Sequence, residues 1–420
     1  MVTDDGEREE RIAGGGLLHR RALLVAGAVS AGGWASGLGA ATGARSPDSM
    51  RAPGAPLSGY GAPAPSAAKI QRLVPNLPFP GSGSARTPLE LLEGTITPNG
   101  LHFERHHNGV PAIDPATHEL LIHGLVRQPL LFRYEDLLRY PRESRILFLE
   151  CSGNSGTIAA ATPVQASAGQ LNGLVSCAEW TGVRLSTLLD EAGLDPAARW
   201  VQAEGADAAG MTRSIPLSIC LDDAMIALFQ NGEPLRPQQG FPMRLLLPGI
   251  EGNASIKWLR RLKVMATPAF SREETSKYSD LLIDGRAELF SLRMGVKSVI
   301  LAPSFGLDLA GPGLREISGL AWSGRGRIRR VEVSADGGAS WAEAALGEPV
   351  LPKALTRFRI PWRWEGGVAT LMSRAVDESG AEQPRRADWI AKYGPGQGYH
   401  SNAIQSWRID GQGHVSHVYA

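Results

Sequence analysis

The sequence predicts an α+β chain in two folded parts, a domain of mixed sheets with short helices and an all-β sandwich behind it. Three observations carry this. Fifty glycines and 29 prolines among 420 residues set frequent turns and short elements. From about Thr87 to Tyr278 short alternating runs are interleaved with brief helical ones. From about Gly295 the helical runs stop and short strands recur at sandwich-like spacing. A chain of this length can hold two or three cores. With 43 basic and 42 acidic residues the net charge is +1, which gives no electrostatic argument for a nucleic-acid or membrane-surface partner.

The first 44 residues read as an address. A polar, acidic start leads to His19-Arg20-Arg21-Ala22-Leu23-Leu24, then a Gly/Ala-rich apolar stretch to about Ala41 and a small-residue run, Thr42-Gly43-Ala44. Twin arginines before a weakly hydrophobic segment match a twin-arginine export signal, which places the processed chain in the periplasm. Residues 22–41 also have the length of a membrane anchor. Their glycines and few large aliphatics favour a cleaved signal, so no anchor is expected afterwards.

Residues 45–85, rich in Pro, Ala, Gly and Ser, form a linker or arm. Within 86–285, strands are expected at 120–126, 145–149, 200–203 and 243–247. A short helix is expected at 185–192, with Ser186 able to cap it. Within 286–420, residues 328–334 read as a strand entering a hairpin through Ala335-Asp336-Gly337-Gly338, with further strands at 356–364 and 368–376. This spacing fits an immunoglobulin-like β-sandwich of about 110 residues.

Three places could carry chemistry. Cys151 ends a strand-like run at 144–150 and begins a Gly/Asn turn, a good position for a soft-metal ligand or a nucleophile, or for a small core thiol. Three cysteines cannot all pair. Cys177 and Cys220 sit in apolar runs and read as core thiols, with a disulfide between them open. Five of the nine histidines fall between His102 and His123, but no second cysteine or acidic residue completes a zinc pattern there. The alternative is anion binding by Arg105 and a neighbouring histidine. Finally, Arg244 and Lys257 flank a turn with Gly252 and Asn253, where backbone N–H groups and two cations could meet an anion.

Together these segments resemble the sulfite oxidase family of molybdenum enzymes. The matching motifs are Phe103-x-Arg105-x-His107, residues 111–115, Cys151-x-Gly153-Asn154, Ala178-x-Trp180-x-Gly182, Gly240-Phe241-Pro242-x-Arg244 and Lys257-Trp258. The runs at 321–326, 333–341 and 383–384 resemble its dimerisation domain. Those at 208–216, 272–278 and 325–330 resemble the molybdenum subunit of sulfane dehydrogenase. The resemblance covers about residue 85 to the C-terminus. It implies a sulfite-oxidase-like molybdopterin domain followed by the sandwich as dimerisation domain, with a molybdenum–molybdopterin cofactor of one pterin. Cys151 would be the molybdenum ligand. Phe103, Arg105 and His107 would contact the cofactor and the mouth of the site. Asp207, Arg244, Gly252, Ser255 and Lys257 would hold the pterin and its phosphate, and Tyr278 would be the active-site tyrosine.

Two departures bear on substrate. Sulfite oxidases carry two arginines after the ligand segment where this chain has Ser155-Gly156, and a later arginine has Gln397 or Gly398 near its place. Each lost charged hydrogen bond would weaken a small dianion by about 1.5–3 kcal/mol. The expectation is therefore a pocket opened at Gly156 for a sulfane sulfur on a carrier-protein cysteine, with direct sulfite oxidation as the alternative. No haem-attachment or iron–sulfur cysteine set occurs among the three cysteines. The resemblance accordingly implies a separate c-type cytochrome as electron acceptor, and a homodimer of this chain within a heterotetramer.

Overall fold

The structure, a computed structural model, describes residues 11–19, 48–75, 81–396 and 398–420. The expected twin arginines Arg20 and Arg21, the apolar stretch and its cleavage site lie outside the described residues, as does Gln397. No helix among the described residues is long and apolar enough to cross a membrane.

The strand Glu143–Glu150 forms because its inward residues Leu147 and Leu149 face one core while Phe148 faces another, all nearly sealed from solvent. It lies at the edge of an antiparallel sheet beside Val175–Arg184, which pairs with Met225–Gln230. Glu233–Pro234 and Arg244–Leu246 both join that last strand. A second five-stranded sheet runs Leu130–Arg133, Glu119–Gly124, Leu259–Met265, Trp200–Gly205, Thr212–Pro216, with one parallel pairing between Glu119–Gly124 and Leu259–Met265. A core of Leu120, Ile122, Val201, Ile226, Leu245 and Leu262 joins the two sheets.

The helix Leu185–Ala192 is where the apolar spacing puts it, burying Leu185, Leu188, Leu189 and Ala192. Its N-cap is Arg184, with no side-chain capping bond, so Ser186 is inside the first turn rather than capping it. Cys177 and Cys220 are both fully buried, both free, and belong to different cores, so they do not pair. Burial pushes both thiols up to about 12.

Behind this domain lies the sandwich. One sheet runs Lys297–Ala302, Gly313–Trp322, Thr356–Trp364, Ala345–Leu346. The other runs Ala342–Glu343, Ile328–Ser334, Ala369–Asp377, Ser406–Ile409, Val415–Val418. Trp322, Phe358, Trp362 and Trp407 fill the space between them. The same core takes in Phe148, Val175 and Cys177, so the two domains share apolar packing. The hairpin after Ser334 turns through Gly337 and Gly338, both at positive φ (72° and 92°). The expected division at residue 285 falls between the paired strands Asp280–Leu281 and Ala287–Glu288. The last residues of the arm, Gly83–Ala85, pair with Glu104–His106 at the site.

Candidate active site

A cavity opens where the Cys151 turn, the strand Glu104–His106 and the loop after Leu246 meet. Nine of the sequence-predicted residues line it: Phe103, Arg105, His107, Cys151, Asp207, Arg244, Gly252, Ser255 and Lys257, and Tyr278 completes the set.

Cys151 is placed by its backbone. Its N–H donates to the Leu174 carbonyl at 2.9 Å, continuing the strand ladder by one residue. Asn154 then locks the turn, donating to Glu150 Oε1 at 2.9 Å and accepting from the Leu174 N–H at 3.1 Å. Gly252 approaches so closely that a Cβ there would stand 2.8 Å from the Glu150 carbonyl oxygen, which only glycine avoids. Burial raises the Cys151 thiol, opposed by a Gly153 backbone hydrogen bond and by Arg105.

Three cations share the cavity. Arg244 is 2% exposed, donates to the Gln239 and Ser255 carbonyls at 3.1 and 2.9 Å, and leaves its buried Nε without a partner. Burial lowers it to about 9. Lys257 donates to the Arg105 and Gln238 carbonyls and to His106 Nδ1 at 2.7 Å. Burial, then Arg244, lowers its ammonium well below the ordinary range. A buried guanidinium with an unpaired N–H, beside an ammonium that it depresses, makes a site that a bound anion would relieve. The residues present therefore fit a phosphorylated pterin, with Cys151 the soft donor on the same wall.

Tyr278, at a positive φ of 51°, puts its hydroxyl 3.0 Å from His107 Nε2. Burial and the nearby Cys151 raise the phenol. Burial, with Arg105 and Lys277, lowers His107 to about 4, and burial with Lys257 lowers His106 to about 3, so both rings are neutral near pH 7. The other histidines of the cluster scatter. His118 bonds the Leu259 carbonyl at 2.9 Å, and no group of three or more His, Cys, Asp or Glu among the described residues is arranged to hold a metal.

Several residues here had no side-chain role assigned from the sequence. Gln239 donates to the Phe103 carbonyl at 2.8 Å. Asn253 bridges Ser152 Oγ and Glu251 Oε2, and His106, Trp258 and Met211 also line the cavity. Trp258 and Met211 stood inside quoted runs, which was the available signal, whereas Gln239 lies one residue before the Gly240 motif. The expected opening at Gly156 is absent. A Cβ there would meet the Gly398 carbonyl oxygen at 3.2 Å, so the C-terminal segment closes that side. Ser155 turns away from the cavity and accepts from Lys297 Nζ at 2.6 Å in the domain junction. Tyr399 instead packs on Tyr278, ring centres 5.3 Å apart.

The oxidoreductase molybdopterin binding domain model matches residues 107–273, and the Mo-co oxidoreductase dimerisation domain model matches 289–406. The chain belongs to the sulfite oxidase family of molybdopterin oxidoreductases. Sulfite oxidase of Gallus gallus is 32% identical over 328 residues, 72% of this chain and 71% of that protein. Mitochondrial sulfite oxidase of Mus musculus is 33% identical over 346 residues, 76% of this chain and 62% of that protein. The chain thus spans less than two thirds of the mouse relative. The sulfane dehydrogenase SoxCD from Paracoccus pantotrophus superposes with a TM-score of 0.84 at 44% identity, covering 86% of this chain and 94% of that one.

Proposed function

We propose that the chain is a periplasmic molybdenum oxidoreductase that oxidises the sulfane sulfur of a cysteine persulfide on a carrier protein, in thiosulfate oxidation, and passes electrons to a c-type cytochrome subunit. The observation that carries this is the convergence of Cys151, three cations and the Tyr278–His107 pair on one cavity. It occurs in a chain 44% identical to a sulfane dehydrogenase over most of both lengths. The dimerisation-domain match supports a homodimer, here placed within a heterotetramer.

Arg244, Lys257, Ser255 and the Gly252 turn would hold the pterin and its phosphate, with Asp207 and Phe103 on the same walls. Cys151 would ligate the molybdenum. When bound, the cofactor supplies oxygen-atom transfer and takes up the electron pair released for each oxygen drawn from water. The protein's own part is electrostatic and positional. Arg105 faces the ligand thiol and favours its anion. Neutral His107 can accept from the Tyr278 hydroxyl or donate to it. Only the second arrangement leaves the phenolic proton for a substrate oxygen.

Direct sulfite oxidation is the second reading. The Gly398 carbonyl packed over Gly156 supports it, because that position adds no room for a longer substrate. Assays of purified holoprotein with cytochrome c as acceptor separate the two. Turnover with the persulfide-bearing carrier and weak turnover with sulfite is expected, whereas sulfite alone as an efficient substrate would establish the alternative. Absence of molybdenum and pterin from active protein would overturn both.

A further inference from the structure

The residues just before the expected twin arginines do not hang free. Arg11 and Leu18 bridge each other in a tight reversal, with the Ile12 N–H donating to the Leu17 carbonyl at 3.0 Å. The reversal is seated on the sandwich. Leu17 pairs with Trp362, and the Leu18 N–H donates to the Pro361 carbonyl at 3.0 Å. The Gly14 N–H reaches Ser340 Oγ at 2.8 Å, and the Trp362 indole N–H donates to the Gly15 carbonyl at 2.6 Å. Arg11 pairs with Glu365. Leu17 is 0% exposed and belongs to the sandwich core, and Leu18 is 2% exposed.

The three glycines between are shaped to this seat. A Cβ at Gly14 would stand 2.4 Å from Asp336 Oδ2, at Gly15 2.8 Å from Ala335, and at Gly16 2.1 Å from the Arg363 carbonyl oxygen. Gly15 and Gly16 also have positive φ, 69° and 91°. An export signal needs arginines and an apolar run, and asks for none of this. Gly14-Gly15-Gly16-Leu17-Leu18 is therefore explained by the groove and not by the address.

We propose that the sandwich surface made by 361–365 with Ala335, Asp336 and Ser340 is a docking groove for the chain's own segment Arg11–Leu18, through which the folded sandwich holds the leader until it is cleaved. The groove draws on the strand Thr356–Trp364 and on the turn after Ile328–Ser334, so it exists only when the sandwich has folded. A tethered segment binds at a high effective concentration. Cleavage near Ala44 would turn it into a free peptide that dilutes away and leaves the groove vacant. The docking is independent of the oxidoreductase reading, and only its release rests on the expected twin-arginine leader.

Hydrogen exchange by mass spectrometry on the full-length, uncleaved holoprotein tests this. The amides of Ile12, Gly14 and Leu18 should exchange at least about tenfold more slowly than in an unstructured chain. Gly16→Val should abolish that protection while the strand Thr356–Trp364 stays protected. Should Gly16→Val disturb that strand as well, Ser340→Ala provides the second variant, with lost protection expected at Gly14. Residues 11–18 exchanging at the unstructured rate in the unaltered chain, or keeping their protection in Gly16→Val, would overturn the docking. In processed protein the segment should be absent from the groove. Its retention there after cleavage would overturn the release, and N-terminal sequencing of exported chain checks the leader separately.

Discussion

Lys297, in the sandwich, places Nζ 3.2 Å from Oε1 of Glu150, the residue before Cys151 in the molybdopterin domain, and the two side chains are only 2% and 1% exposed. The same carboxylate accepts from the Trp322 indole at 2.6 Å and from Asn154 at 2.9 Å. The dimerisation domain thus reaches the backbone that carries the Cys151 thiol.

Removing one partner of a buried pair leaves the other charge uncompensated. Lys297→Met should destabilise the chain by about 3–5 kcal/mol, and Glu150→Gln together with Lys297→Met by clearly less than the two single changes combined. Denaturant titration of the four proteins checks this. Additive losses would show that the two groups do not interact.

Gly252→Ala should act on the site directly. Its new methyl would meet the Glu150 carbonyl at 2.8 Å, forcing the Cys151 turn to move. An overpacking cost of about 1–3 kcal/mol is expected, with reduced molybdenum content in purified protein. Unchanged metal content and midpoint would mean that the turn yields freely.

Tyr278→Phe removes the hydroxyl bonded to His107 and leaves the ring packed against Tyr399. Loss of one donor at a reacting oxygen typically costs about 10²–10³ in turnover. A fall in kcat of that order with an unchanged melting temperature is expected. Wild-type kcat in this variant would remove Tyr278 from the chemistry.

Stability should fall on both sides of neutrality. His107 and His106 are held at about 4 and about 3, so an unfolded chain takes up protons that the folded one refuses as pH drops below about 6.5. Their contribution is present above that value and is lost on acidification. His400 works oppositely. Burial alone would lower it, but Glu251 and Asp280 overcome this and hold it raised. Its contribution is present at low pH and is lost as pH rises through its folded value. Urea midpoints against pH should show the acid-side fall reduced in His107→Asn and the alkaline-side fall reduced in His400→Gln.

Much of this was legible in the sequence. The sandwich strands Ile328–Ser334 and Thr356–Trp364 match their expected bounds, because alternation and the Gly337-Gly338 turn are local signals. The site residues converge because their motifs are rigid pieces of neighbouring strands and turns. What the sequence hid depends on distant contacts. Ser155 and Gly156 looked like an emptied pocket, yet one faces Lys297, 142 residues away, and the other lies under Gly398. Gly14, Gly15 and Gly16 carried no periodicity to reveal a seat on Trp362.

The central claim is that Cys151 supplies the protein sulfur to molybdenum. X-ray absorption at the molybdenum edge counts the sulfur neighbours directly. Replacing Cys151 by Ser should remove one sulfur from the shell and cut turnover by more than the ~10–100-fold typical of residues outside a metal's first ligands. An unchanged sulfur count with full turnover in Cys151→Ser would contradict the account.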